Sequence, residues 1–156
     1  MHFFSRDLLI LSMLVVFLLG ATGGGIEAQG GKVVDLKNYQ WKNRILLIFA
    51  PSAENPAGSS LAVELEGQIA GVRERELLIG HILEIGPSQF AGVPISRELS
   101  EAFRRQFAVR TGISTVILIG KDGEVKLRRE GPVQATEIFA LIDSMPMRRQ
   151  EMREGK

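Results

Sequence analysis

The stretch ISTVILIGKDGEVKLRREG, residues 113–131, predicts a β-hairpin. The segment TVILI within it, residues 115–119, is apolar without alternation, which indicates a strand buried on both faces of a sheet. Asp122 and Gly123 form a dipeptide that favours a tight turn, and charged residues then alternate with apolar ones over residues 124–128. The hairpin therefore predicts an interior strand followed by an edge strand, whose charges also protect that edge from unwanted pairing.

Upstream of the hairpin, the sequence predicts two strands with a helix between them. RILLIFA, residues 44–50, is a continuous apolar run that is typical of a central strand. Asn55 is a favourable N-cap, and Pro56 suits the first helical position because its missing N–H costs nothing there. ELLIGHILEIG, residues 76–86, predicts a second apolar strand. This unit is a βαβ motif with parallel strands.

The remaining segments complete the predicted order of elements. We expect a short first strand around residues 33–36, a loop in GPSQFAGVPI at residues 86–95, and a final helix near residues 133–144. Ser96 is expected to cap the helix RELSEAFRRQF. Strand, helix, parallel strand, helix, antiparallel hairpin and helix together predict an α/β fold of three layers, α/β/α, with a mixed β-sheet. In the first helix, an apolar side is predicted from Leu61, Leu65 and Ile69.

Residues 1–28 have the pattern of a secretory signal peptide. A short polar start with Arg6 is followed by an uncharged apolar run and by small residues leading to Ala28. The run is shorter than the roughly 20 residues that a spanning helix needs, although an uncleaved N-terminal anchor is the alternative. We therefore predict one domain at residues 29–156 in an extracytoplasmic, periplasmic or secreted location, with no membrane span after cleavage.

Charge and cysteine content exclude several classes of function. Without Arg6, Asp7 and Glu27, the 19 basic and 18 acidic side chains become 18 and 16, so the exported part carries a charge of only +2. Nucleic acid calls for a dense basic face, and it is not an expected partner. The sequence has no cysteine, which excludes thiolate catalysis and thiol–disulfide exchange. No cofactor is expected.

Two segments, RILLIFAPSAENPA and ISTVILIGKDGEVKLRREG, together resemble the thioredoxin-like superfamily. In that superfamily a C-x-x-C sequence begins the helix after the first segment, and a cis-proline precedes the strand of the second. Here residues 54–57 stand in the place of C-x-x-C, and Ser114 stands in the place of the cis-proline. The resemblance implies a thioredoxin-like fold that lacks both redox hallmarks.

Three segments, YQWKNRILLIFAP, LIGKDGEVKLR and IDSMPMRRQEM, resemble the P-DUDES group of peroxiredoxin-related, thioredoxin-like domains of unknown function. The resemblance covers roughly the whole of residues 29–156. Members are similar to vertebrate extracellular matrix proteins and to small exported bacterial proteins, and the group implies no settled activity. The sequence is therefore interpreted as a non-redox binding or interaction module for an unknown protein, peptide or extracellular ligand.

Glu54, Asn55 and Ser114 are the candidate ligand-binding residues. A helix N-terminus offers unpaired N–H groups and a favourable dipole, which can bind an anion or a peptide carbonyl. One alternative is an enzyme with non-thiol chemistry, in which Glu54 acts as acid or base in a partly desolvated cleft. The simplest interpretation is that Asn55 only caps the helix and that Glu54 complements its dipole.

Other side chains give weaker signals. His81 is predicted to be a packed, hydrogen-bonded histidine within a strand. Thioether sulfurs can bind Cu(I), so handling of Cu(I) by Met145, Met147 and Met152 is a further alternative, beside simple docking of the tail by these methionines. A solvated surface of mixed charge, rather than a basic patch, is predicted from Arg128, Arg129, Arg148, Arg149 and Arg153, which alternate with Glu130, Glu151 and Glu154.

Overall fold

The computed structural model describes residues 34–155, which form a mixed β-sheet with helices on both faces. After a 3-10 helix at Leu36–Tyr39, the elements in chain order are β1 (Arg44–Ala50), α1 (Pro56–Glu66), α2 (Ile69–Glu74), β2 (Leu77–Leu83), β3 (Ser88–Phe90), β4 (Val93–Ile95), α3 (Arg97–Gln106), β5 (Thr115–Ile119), β6 (Val125–Glu130), α4 (Ala135–Ser144) and α5 (Pro146–Arg153). The strand order across the sheet is β4-β3-β2-β1-β5-β6.

The order of strands confirms the predicted βαβ unit and the predicted hairpin. β1 pairs in parallel with β2 and antiparallel with β5, and β6 closes one edge of the sheet beside β5. Every residue of β5 is buried, whereas β6 is largely exposed. The turn between them is built on Gly123, whose φ of +84° lies in the left-handed region that glycine adopts at no steric cost. The hairpin is thus the interior and edge pair that its sequence predicts.

Two hydrophobic clusters, one on each face of the sheet, form the core. Alternate residues of β1 supply both, because successive side chains of a strand point to opposite faces. Leu46 and Ile48 pack under α1, α2 and α4, and Leu47 and Phe49 pack under α3. Each such buried side chain stabilises the fold by about 1.5–3 kcal/mol. The predicted three-layer α/β/α architecture is confirmed.

Two predicted elements are wrong. The expected first strand around residues 33–36 is replaced, where the structure describes it, by the 3-10 helix, because Asp35 Oδ1 accepts the N–H of Lys37 at 3.0 Å and tightens the chain into a turn. The segment predicted as a loop at residues 86–95 contains the β3–β4 hairpin. Ala91 and Gly92 both take positive φ in its turn, which lets two very short strands pair.

The single helix expected between β1 and β2 is two helices. α1 ends at Glu66, and Gln68 leaves the helical conformation at φ −122° and ψ 35°. Leu61 and Leu65 are buried as predicted, but Ile69 is 51% exposed because this break rotates it away from the core. Within residues 34–155, no helix is long and apolar enough to cross a membrane.

Ion pairs fasten α5 to the end of the sheet where β1 begins. Arg44 is only 1% exposed, and its two terminal nitrogens each donate to an oxygen of Glu151 at 3.1 Å. Lys121 donates to the same carboxylate at 2.7 Å and also contacts Glu76. Glu151 therefore joins α5 both to β1 and to Lys121, which lies two residues after the end of β5.

The prediction of a fully solvated charged surface is wrong for Arg148. Its side chain is 1% exposed and forms ion pairs with Glu74 and Asp143, so α5 presents this arginine inward. The neighbouring Arg149 is exposed, as predicted. Burial of one of two adjacent arginines follows from the helical turn of α5, because successive residues point about 100° apart.

Candidate functional site

Asn55 lies at the junction between the loop after β1 and the first turn of α1. Its backbone is extended, and its Oδ1 accepts the N–H of Gly58 at 3.4 Å. Pro56 occupies the first turn, where no partner for its nitrogen is needed. The predicted cap is confirmed, and it holds the Asn55 side chain at the end of the sheet where β1 stops.

Ser114 lies beside Asn55, although the two are far apart in sequence. The antiparallel register places Phe49 of β1 opposite Thr115 of β5, so the residue before β5 meets the segment after β1. The Ser114 hydroxyl, in a side chain that is 8% exposed, donates to Asn55 Oδ1 at 2.6 Å. No cis peptide bond occurs among the described residues. The structure thus brings together two of the three predicted ligand-binding residues.

A carboxylate on the far side of the sheet supports the loop that carries Ser114. Glu84, just after β2, accepts the N–H of Gly112 at 2.8 Å and forms an ion pair with the largely buried Arg104 of α3. Arg104 also donates to the carbonyl of Arg110 at 3.2 Å. Glu84 and Arg104 therefore position the segment before Ser114. Sequence patterns gave no indication of this role, because the three segments meet only in the folded protein.

An open groove, here called the Asn55–Ser114 groove, lies over this hydrogen bond. Its surface combines prolines and small apolar groups with few polar ones. Asn55 Oδ1 already accepts two hydrogen bonds, whereas within residues 34–155 its Nδ2 amide has no partner and is not buried. The groove is lined by Asn55, Pro56, Ala57, Ser60, Gly112, Ile113, Ser114, Glu130, Gly131 and Pro132.

Glu54, the third predicted residue, does not line this groove. Its side chain is exposed, and a hydrogen bond from Ser52, followed by one from its own backbone, lowers the pKa of its carboxyl below the ordinary value of 4.5. An acid or base in a desolvated cleft needs the opposite environment, which raises the pKa. The geometry therefore does not favour the alternative of an enzyme that uses Glu54.

His81 is half-buried in β2, as expected for a packed histidine, but the expected hydrogen bond is missing. No partner for its imidazole is found among residues 34–155. Burial lowers the pKa of His81 below 6.5, and the charge of Glu66 opposes this shift in part. His81 faces a different groove, on the other flank of α1.

The three tail methionines lie in different surroundings. Met145 is partly buried against the core under α4, while Met147 and Met152 are exposed. Met147 and Met152 are five residues apart on α5, which separates their directions by about 140°. This arrangement favours docking of the tail through Met145 over a convergent set of thioethers for Cu(I).

The parallel β1–β2 pair, the antiparallel β5–β6 hairpin and a site between the start of α1 and the residue before β5 define a thioredoxin-like α/β protein. Two solved structures share this fold. A 2-Cys peroxiredoxin from Plasmodium vivax is 16% identical, with a TM-score of 0.58 over 75% of this chain and 85% of that chain. Thioredoxin peroxidase I from Plasmodium yoelii is 18% identical, with a TM-score of 0.54 over 79% and 82%. At these identities the likeness shows the fold alone.

Residues 35–151 match the family described as Domain of unknown function (DUF4174), and the chain belongs to this family. The chain is also similar to Coiled-coil domain-containing protein 80 from Danio rerio, with 31% identity over 133 residues and 75% of this chain. It spans 15% of the length of that zebrafish protein. The family match begins at Asp35 and ends at Glu151, the residue that fastens α5 to the sheet.

Proposed function

We propose that this protein is an exported, thiol-independent binding module that holds an extended peptide segment in the Asn55–Ser114 groove. We further propose that it is a P-DUDES-type member of its family. The export part of the proposal rests on the signal-peptide pattern of residues 1–28, which lie outside the described residues. The segment that it binds belongs to a protein or peptide outside the cytoplasm.

The Asn55 side chain is the observation that carries the proposal. Its Oδ1 is engaged by Ser114 and Gly58, and this fixes the orientation of the amide and leaves Nδ2 as a donor at the groove. A peptide carbonyl is a suitable acceptor for a neutral amide N–H. The hydrogen bond to Ser114 thus prepares the donor for its ligand, which lowers the entropy cost of binding.

The other walls of the groove suit an apolar, extended chain. Pro56 and Pro132 are exposed, and Ile113 is partly exposed between them. Rigid prolines lose little conformational entropy when a ligand covers them. The charge in the groove is already neutralised, because Glu130 forms an ion pair with Arg110 at 2.6 Å. The ligand segment is therefore expected to be uncharged where it crosses the groove.

Selection from phage-displayed random peptides on the purified protein tests the proposal. A selected peptide is then measured by fluorescence polarisation against Ser60→Trp, which fills the groove from an exposed position of α1, and against the exposed control Ala140→Trp on α4. We expect binding to be weakened about tenfold or more by the first variant and unchanged by the second. Failure to select any peptide, or equal binding by Ser60→Trp, would overturn the proposal.

A second variant tests the Nδ2 donor of Asn55 without changing the shape of the groove. Asn55→Asp keeps an oxygen for the Gly58 N–H and the Ser114 hydroxyl but replaces the Nδ2 donor with an acceptor. Loss of one hydrogen bond and repulsion of the peptide carbonyl should weaken binding by about tenfold. Unchanged affinity would contradict the role of Nδ2. A peroxidase or disulfide reductase activity of the purified protein would contradict the thiol-independent character of the module.

A further inference from the structure

A second groove lies on the opposite flank of α1 from the Asn55–Ser114 groove, and we call it the His81 groove. Its wall is formed by α1, and its floor is formed by β2 and β3, which extend the sheet beyond the helix. The residues that matter for its chemistry are Ser59, Val63 and Glu66 on the wall, and His81, Leu83 and Gln89 on the floor. The groove is therefore a separate surface from the proposed peptide site.

Three polar side chains of the His81 groove, those of Glu66, His81 and Gln89, have no partners among residues 34–155. His81 and Gln89 are directly opposite each other in the antiparallel β2–β3 pair, so their side chains lie next to each other on one face. Glu66 lies close enough for its charge to act on the imidazole. Within residues 34–155, none of these three side chains makes a hydrogen bond or an ion pair. Three unpaired polar groups that face one groove are available to a ligand.

The charge of the groove determines which ligand suits it. Among the lining residues only Glu66 and His81 have ionisable side chains, and burial lowers the pKa of the imidazole, which favours its neutral form. The carboxylate of Glu66 is then the single charge, and it is exposed. Val63, which is 67% exposed, and Leu83 supply apolar surface beside it. A carboxylate, two neutral hydrogen-bond acceptors and an adjacent apolar surface together suit a ligand that has a cationic group at the end of an aliphatic chain.

We propose that the His81 groove binds an arginine side chain of a partner peptide or protein. The guanidinium pairs with Glu66, its remaining N–H groups donate to Gln89 Oε1 and to the unprotonated nitrogen of His81, and its methylene stem covers Val63. Arginine suits this site better than lysine because its planar fork carries five donors at fixed angles. A metal ion fits less well, because no three His, Cys, Asp or Glu side chains in the described part of the chain come together to hold one.

This proposal is independent of the proposed function, because it uses a different groove and a different probe. The probe is the blocked tripeptide acetyl-Gly-Arg-Gly-amide, and the control is the same peptide with citrulline, which has the shape of arginine without its charge. The two peptides are titrated into the ¹⁵N-labelled protein while amide chemical shifts are followed. We expect the arginine peptide to shift the resonances of Ser59, Glu66, His81 and Gln89. The citrulline peptide should bind with an affinity that is lower by about fivefold or more.

Two charge-matched variants complete the test. Glu66→Gln removes the carboxylate from the groove and should weaken binding of the arginine peptide about fivefold, whereas Glu98→Gln, an exposed residue of α3, should leave it unchanged. Equal binding of the two peptides, or equal binding by Glu66→Gln and the unaltered protein, would overturn the proposal. Shifts confined to the Asn55–Ser114 groove would also overturn it, without affecting the proposed function.

Discussion

The hydroxyl of Ser114 lies 2.6 Å from Oδ1 of Asn55, across 59 positions of the sequence. This hydrogen bond joins the start of α1 to the segment before β5. The resemblance to thioredoxin-like proteins places a C-x-x-C sequence and a cis-proline at the corresponding positions. In this chain Asn55 and Ser114 form a neutral polar pair that connects the same two segments. The pair orients the amide of Asn55 at a position where the chain has no cysteine for thiol chemistry.

The first prediction concerns the strength of this bond. Ser114→Ala should lower the free energy of unfolding by about 1 kcal/mol, and Asn55→Ala by about 1–2 kcal/mol because it also removes the helix cap. The double variant should cost about 1 kcal/mol less than the sum of the two, since each single change already breaks the shared bond. Urea unfolding followed by circular dichroism measures all three. The remote pair Asn55→Ala and Ser144→Ala should be additive, and additivity at 55 and 114 would show that the bond contributes nothing.

The second prediction concerns Glu151, which holds Arg44 and Lys121. Glu151→Gln leaves the buried guanidinium of Arg44 without its counter-charge, and the free energy of unfolding should fall by about 3 kcal/mol. The exposed pair between Arg97 and Glu101 provides a control, since Glu101→Gln should cost less than about 1 kcal/mol. Chemical denaturation is the appropriate measurement. Equal effects of the two variants would contradict the view that Glu151 fastens α5.

The third prediction concerns how the stabilising contribution of Glu151 depends on pH. Burial raises the pKa of Glu151, but hydrogen bonds from Arg44 and Lys121, together with their charges, outweigh it and hold the pKa below its ordinary value of 4.5. The ionised carboxylate therefore stabilises the fold above its unfolded pKa, and this contribution is lost as pH falls through the folded pKa. The difference in stability between the unaltered protein and Glu151→Gln should therefore shrink as pH falls below 4.5, the ordinary pKa of the carboxyl. A difference that stays constant in urea titrations would contradict this linkage.

The fourth prediction concerns the turn of the β5–β6 hairpin. Gly123→Ala places a Cβ on a backbone with φ +84° and should lower the free energy of unfolding by about 1–2 kcal/mol. Gly123→Asn should cost less, because asparagine tolerates the left-handed region better than alanine. Thermal unfolding of the two variants provides the comparison. A stability order with alanine above asparagine would show that φ at this position is not the controlling factor.

Local sequence patterns predicted the parts of the fold that local physics determines. The apolar runs of β1 and β5 indicate burial on both faces, and Asn55 and Ser96 are caps that act within a few residues. The β3–β4 hairpin was missed because strands of three residues have no readable period, and because its turn depends on Ala91, which gives no turn signal although it takes φ +50°.

Tertiary contacts determine the parts that the sequence did not predict. Arginines are usually exposed, so burial of Arg44 and Arg148 could not be inferred before the fold brought carboxylates from several segments to them. The same holds for the site. Asn55 and Ser114 were predicted through the resemblance, but Glu84 and Arg104, which support the Ser114 loop, lie on elements that meet only in three dimensions.

The most direct test of the account is a map of peptide binding on the protein. A peptide obtained by phage selection is titrated into the ¹⁵N-labelled protein, and the amide chemical shifts are assigned and followed. We predict that the largest shifts fall in the three segments that line the Asn55–Ser114 groove, residues 55–60, 112–114 and 130–132. Shifts centred elsewhere on the sheet or helices, with these three segments unperturbed, would contradict the central claim.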